Sequence, residues 1–477
     1  MREKVKCLPF ILAVCLSVSA YGENRPSSLN LSESWQALLQ NDDLLSANQS
    51  ASLRAEALAS TANSLYLPQV DLVGSYTRLD SQIELDALSL NPLNSASETI
   101  PGQLLIDLIG GPGAFQTPVT SRNITRSSIN TLWPIYTGGK ITAKKNLLQL
   151  EQTEASHVLE EVRRARFTEL VATYFGLVMA ERALNTQQQV ESALARHLHV
   201  ATALEDQAQI SGVERLAAEA AYDRARITTR AVEEQRDTAH NAFASLIHMD
   251  FQDNGHRVES RRLDPTTPLF TLPQLPPRDT FEAGLSEHPS LRILSTKHEQ
   301  AKNIAQASRG LYRPDVFLFG SYNVYENDSL ASDLTPDWLV GVGVRIALVD
   351  RSGRNGKVGA ADNTVREVDS LQKATQRRLE LLLDRNYREA RQALAEHRDL
   401  ASTVALAEQT LRLQERAFAE GLGRSLDVID AQTFLATTQT RRDAAALRFV
   451  LAFTQLLTLS GDYESLFSYV LEGDEIQ

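Results

Sequence analysis

Apolar residues along this chain recur with two periods, and the period changes at two places that repeat each other. Over residues 31–65 the spacing is helical and the block is Ala-rich; after Pro68 the period drops to two. Val70, Leu72, Gly74 and Tyr76 then share one face of a predicted strand, and Asp71, Ser75 and Thr77 share the other. The whole junction returns 246 residues later, where Leu65-Tyr66-Leu67-Pro68 is answered by Leu311-Tyr312-Arg313-Pro314. The match runs without a gap back to Trp35 and Phe281 through Ala37/Ala283, Leu45/Leu291 and Ala55/Ala301. A match of that length at one offset reads as an internal duplication. Pro68 and Pro314 end the helical pattern, because proline cannot continue a helix and pushes the preceding residue toward extended geometry. Ser32 or Ser34 is the expected cap of the first helical block.

Each copy predicts one antiparallel strand pair, 69–80 with 123–135 and 315–325 with 338–349. In the last strand Val340, Val342, Val344 and Ile346 alternate with Gly341, Gly343, Arg345 and Ala347. The pairs close at the turns Gly138-Gly139 and Gly353. A very long, proline-free polar helix follows each pair, 141–205 and 356–420, roughly 100 Å of rod apiece. Such lengths do not fold into one globular core and read as coiled-coil-like hairpins. Each rod breaks at small residues, Gly212 in the first copy and Gly421 and Gly423 in the second, and returns as a shorter helix, 213–248 or 425–460. Residues 81–121 have no counterpart in the second copy. They read as a loop with a short amphipathic helix, at the pole opposite the rods. The organisation is therefore 1–22 signal peptide, 23–249 first repeat, 250–279 proline-rich link, 280–460 second repeat and 461–477 tail.

Composition narrows the class. Residues 1–22 have a charged start at Arg2, Lys4 and Lys6 and an apolar run too short to span a bilayer, the pattern of a secretory signal. Both cysteines, Cys7 and Cys15, fall inside it, so disulfide and thiol chemistry are excluded from the mature chain. Forty-eight basic residues against sixty acidic ones leave a formal charge of −12 with no basic run, which argues against nucleic acid as a partner. No apolar run beyond the signal approaches twenty residues. A helical membrane protein is excluded and a β-barrel stays open. Four strands of ten to thirteen residues suit a membrane but cannot close alone, because no open edge is allowed in lipid. The sheet must then be shared between chains, two giving eight strands and three giving twelve. Tyr76, Trp133, Tyr322 and Trp338 would be interfacial aromatics.

Catalytic chemistry finds little footing. His197 and His199 are two apart and do not share a helix face, which disfavours a two-histidine metal site. Gly110-Gly111-Pro112-Gly113 has no Lys-Ser/Thr after it, and no metalloprotease, nucleophile-elbow or Walker signature is present. The chain reads as a non-enzyme without cofactor or metal. A periplasmic coiled-coil adaptor or scaffold without a pore is the alternative to a channel, and it would need no lipid-facing belt of Val340, Val342, Val344 and Ile346.

Taken in order, the signal, the duplicated helix–Leu-Tyr-x-Pro–strand junction, Tyr-x-Gly-Gly at 136–139 and Gly-x-x-x-x-Leu-Asp-Val-Ile-Asp-Ala at 421–431 resemble the TolC family of outer-membrane efflux proteins. The resemblance covers essentially the whole mature chain. It implies a mainly α fold with a small β part: antiparallel helical hairpins forming a trimeric α-barrel, continued by a twelve-stranded transmembrane β-barrel with four strands per chain. It implies a passive homotrimeric duct in the cell outer membrane, in contact with its lipid and with a long periplasmic extension. Such a duct serves tripartite efflux or type I secretion, docked to a periplasmic adaptor (membrane fusion protein) and an inner-membrane pump of RND, ABC or MFS type. Drug, metal and secreted protein all remain open as cargo. By the resemblance, Asp427 and Asp430 ring the periplasmic entrance. Three apart, they share a helix face, which predicts that they face the lumen and set its cation preference while Val428 and Ile429 point to neighbouring helices. Glu214 helps latch the first hairpin and Phe418 takes the place of a latch tyrosine. Gly423 stands where an arginine is expected, so Arg424 is the expected partner of Glu214.

Overall fold

The computed structural model describes residues 28–86, 116–248, 264–326, 336–349 and 353–475, with 252–253, 256–257, 332 and 351. Residues 1–22, expected to be a signal peptide, and the centre of the extra loop, 87–115, lie outside the described residues. In chain order the main elements are α1 (Leu31–Asn41), α2 (Asp43–Ser60), β1 (Gln69–Arg78), β2 (Ile83–Asp86), β3 (Gln116–Thr120), β4 (Asn123–Tyr136), α3 (Lys140–Asp206) and α4 (Gly212–Leu246). They continue with α5 (Arg278–Glu282), α6 (Pro289–Arg309), β5 (Asp315–Glu326), β6 (Trp338–Arg345), α7 (Arg354–Ala419), α8 (Ser425–Ser460) and α9 (Leu466–Glu472).

The rods form as their spacing predicts, with 67 residues in α3 and 66 in α7. α3 packs against α4 and α7 against α8, and α8 also lies along α3, which joins the two hairpins. Both rods start immediately after a glycine in the left-handed region, Gly139 at φ 89° and Gly353 at φ 67°. That geometry, open to glycine at no steric cost, turns the strand into the helix.

The first helical block is not continuous. It breaks at Asp42, a buried residue whose carboxylate accepts the Leu45 N–H at 2.7 Å and pairs with Arg166 of α3. The cap of α1 is Asn30 rather than Ser32 or Ser34: its side chain accepts the Glu33 N–H at 2.8 Å while the Glu33 carboxylate accepts the Asn30 N–H at 2.9 Å.

The two strand pairs join into one four-stranded antiparallel sheet, in the order β6-β5-β4-β1. The contact between copies is β4 with β5, a pairing beyond the one antiparallel pair expected from each copy. Register sorts the side chains into two faces. Val70, Leu72, Ile129, Trp133, Leu318, Val340, Val342 and Val344 stand on one. Asp71, Ser128, Asn130, Ser321, Phe317 and Phe319 stand on the other, where Ser321 Oγ donates to Asn130 Oδ1 at 2.9 Å. Two expectations are corrected here. β6 ends at Arg345, opposite Asp315, because Pro314 stops β5 and leaves nothing to pair with; Ile346, Leu348 and Val349 therefore fall outside the strand. The ends of the extra loop are also paired: β2 and β3 form an antiparallel ribbon beyond the main sheet.

The core sits at mid-length. Phe167, Tyr174 and Phe175 of α3, Phe243 of α4, Phe281 of α5 and Phe449 and Phe453 of α8 are fully buried there. The link between repeats enters this core instead of bridging it, with Leu269, Phe270 and Leu272 all buried. Tyr174 ties the layers together: its hydroxyl donates to Leu29 O at 3.0 Å and accepts the Thr267 N–H at 2.8 Å. The tail closes over the same region through Tyr463 and Leu466. α8 is long and apolar enough to cross a membrane by composition, yet its apolar side is core, buried around Phe449 and Phe453.

Candidate functional site at the hairpin tips

At the ends farthest from the sheet, both hairpins turn within five residues. In the first, the Gln209 N–H reaches Leu204 O at 2.8 Å, Ala208 takes φ 58°, and Gly212 opens α4. Arg215 pins the turn through Glu205 at 2.6 Å. In the second, Gly421 at φ 72° turns the chain, and the N–H groups of Leu422 and Gly423 both reach Ala417 O, at 2.8 and 3.1 Å. A Cβ at Gly423 would meet the Phe418 backbone N at 3.1 Å, so the larger residue expected there would need this turn to give by a few tenths of an ångström.

Four helices converge on Ser425, the first residue of α8. Its backbone N–H donates to Glu214 Oε2 of α4 at 2.7 Å. Its hydroxyl shares a 2.7 Å hydrogen bond with His197 Nε2 of α3. The His197 ring lies 4.6 Å from the ring of Phe418 of α7. Phe418, Val428, Ala431 and Leu435 seal these groups against Ala201, Leu204 and Ala218. Burial lowers the pKa of His197, opposed by the nearby Glu214 carboxylate. The imidazole is thus held neutral, as a hydrogen-bond partner for a hydroxyl. Glu214 places an anion at the open N-terminus of α8, where unpaired N–H groups and the helix dipole favour negative charge.

Glu214 therefore meets the second hairpin, through the Ser425 backbone instead of Arg424. Arg424 turns to its own helix, its Nη2 donating to Asp427 Oδ1 at 2.8 Å. That bond draws the Asp427 pKa below its ordinary value. Asp430 is exposed and Val428 buried, while Ile429 lines the groove between α3, α4 and α8. The tip brings together Glu214, Phe418, Arg424 and Asp427; Asp430 stands one turn away. Sequence reasoning missed His197 and Ser425 as members. The available signal was spacing: Leu194, His197, Ala201 and Leu204 form one apolar stripe, which puts the histidine on a packed face.

Residues 282–462 match the family model described as outer membrane efflux protein. A search of curated protein sequences finds no match. Among solved structures, the outer membrane protein VceC of Vibrio cholerae aligns over 91% of this chain and 96% of its own, at TM-score 0.72 and 16% identity. The Neisseria gonorrhoeae outer membrane channel MtrE aligns over 91% of this chain and 89% of its own, at TM-score 0.70 and 16% identity. The Campylobacter jejuni outer membrane channel CmeC aligns over 93% and 90%, at TM-score 0.67 and 14% identity. The second repeat thus carries the outer membrane efflux protein match, about nine-tenths of the chain carries the fold of the outer-membrane channels, and the resemblance to the TolC family stands.

Proposed function

We propose that three copies of this chain form a passive exit duct in the outer membrane: a twelve-stranded transmembrane β-barrel continued by a trimeric α-helical tunnel into the periplasm. The observation that carries this reading is the apolar face of the sheet. Val70, Leu72, Ile129, Val340, Val342 and Val344 lie together on it and are exposed. A contiguous apolar patch of this kind marks a surface made to be covered. The sheet ends in β1 on one side and β6 on the other. Lipid tolerates no unpaired edge, so β1 of one copy pairs with β6 of the next. An eight-stranded cylinder is filled by its own side chains, whereas more strands leave a lumen, which favours three copies over two. The polar face then lines the lumen, and the rods, about 100 Å long, reach well beyond a hydrocarbon core of about 30 Å.

The duct serves a tripartite efflux or type I secretion system, with a periplasmic adaptor and an inner-membrane pump of RND, ABC or MFS type at its tips. The constellation around Ser425 latches the two hairpins of each chain and forms the periplasmic gate with Asp427 and Asp430. An adaptor or scaffold without a pore has no use for an exposed valine face. Fractionation should place the protein in outer membranes, and cross-linking in mild detergent should give a trimer. A monodisperse monomer with native far-UV helicity, or a soluble periplasmic protein, would sink the reading.

A further inference from the structure

Where the sheet meets the rods, its polar face is undercut by a hollow of about 850 Å³. That is the size of a small-molecule site. Leu67, Leu132, Pro134 and Phe317 supply an apolar wall. The first turns of α3 and the end of β6 supply Lys140, Lys144 and Arg345 at its rim. Asp315 is the one carboxylate in the lining. It is matched by Lys140, whose Nζ lies 2.6 Å from its Oδ1, while Arg345 stands farther off at 3.8 Å and is 77% exposed. Lys144 is exposed and has no ion-pair partner among the described residues. Two cations are therefore left over beside an apolar wall, in a chain whose formal charge is −12. The N-terminus of α3 adds positive potential in the same place.

We propose that this hollow binds amphiphilic organic anions: solutes with an apolar body of one or two rings and a single carboxylate, sulfonate or phosphate. The body lies on Phe317, Leu132 and Pro134, and the anionic group sits between Lys144 and Arg345. Arginine offers a planar fork suited to such oxyanions and lysine a mobile point charge. The position of the hollow in a lumen rests on the duct reading, which this site deepens by naming a class of cargo; its lining does not. The polar face carries it, so the occupant arrives through water and not from lipid.

Equilibrium dialysis of the purified full chain in dodecyl maltoside, with naphthalene-2-sulfonate as probe, tests the site. One saturable site per chain is expected. Neutral naphthalene-2-methanol and cationic 2-naphthylmethylammonium should bind at least tenfold more weakly. Lys144→Gln combined with Arg345→Gln should weaken sulfonate binding at least tenfold. Gln69→Glu, which adds a carboxylate to the lining, should shift affinity the same way, and Lys373→Gln on α7 should leave it unchanged. Equal binding of the three probes, or unchanged affinity in both lining variants, overturns the assignment. So does loss of sulfonate binding on doping the micelles with phosphatidylglycerol, which would put a lipid in the hollow. Dialysis needs no pore: sulfonate binding by a chain that never forms a conducting trimer would refute the duct and keep the site.

Discussion

At the scale of single residues, the tip separates two aspartates that look alike in sequence. Asp427 is held by Arg424 through its side chain and also accepts the Arg424 backbone N–H at 3.3 Å. Its charge is compensated where it arises. Asp430 is exposed and makes no such bond among the described residues. A ring of three chains would therefore owe its cation preference to Asp430. In planar bilayers, Asp430→Ala should reduce cation selectivity and multivalent-cation block several-fold, with Asp427→Ala having the smaller effect. Equal losses in the two variants would show that the Arg424 pairing does not persist in the trimer. The proposed latch was half legible. The resemblance to the TolC family pointed to Glu214 and Phe418 at the hairpin ends. Their partner could not be placed, because Ser425 engages Glu214 through a backbone N–H, a group every residue but proline possesses.

At the scale of elements, period and proline placement located both rods, both return helices and all four strands of the sheet. They missed what depends on a partner. Asp42 caps the helix after the break locally, but its pairing with Arg166, far along the chain, could not be seen. The early end of β6 exists because β5 has no residue left to offer. The alternation of valine with glycine in β6 has a steric cause that sequence did not reveal. A Cβ at Gly341 would lie 2.6 Å from Phe319 Cζ, since the phenyl ring on β5 lies across the glycine. Gly341→Val must therefore push the partly exposed Phe319 ring aside, at a cost of about 0.5–1.5 kcal/mol. The cost appears as a lower midpoint in urea or thermal unfolding. Combining it with Phe319→Ala should recover part of the loss; a double variant no better than the single one would rule out this contact as the cause.

At the scale of the whole molecule, the two hairpins are joined by buried groups as well as by apolar packing. His397 of α7 is buried and its Nε2 has no hydrogen-bond partner. Burial, with Arg442 of α8, Arg398 of α7 and Arg182 of α3 nearby, pushes its pKa down to about 4. An unfolded chain takes up this proton near pH 6.5, the folded chain only near 4. Stability is then full above pH 6.5 and falls as pH drops through that window, since the unfolded state binds more protons there. His197 and His288, both lowered chiefly by burial, act in the same direction. Asp443, raised by burial despite Arg182, works against them at the acid end. Unfolding midpoints should decline between pH 7 and pH 5, and His397→Gln should flatten the decline. An unchanged slope in that variant would remove His397 from the account.

The sequence by itself determined the duplication, the rods and their tips, the strand alternation and the confinement of both cysteines to the first fifteen residues. Each of these is a property of spacing or composition that a linear chain carries whole. The tertiary structure alone decided that β4 joins β5 across the repeats, that the proline-rich link is core, and that Arg424 serves Asp427 while Glu214 serves Ser425. It also decided that Lys144 and Arg345, two hundred residues apart, share one hollow. These are choices between partners of equal chemistry, and only distance in space makes them.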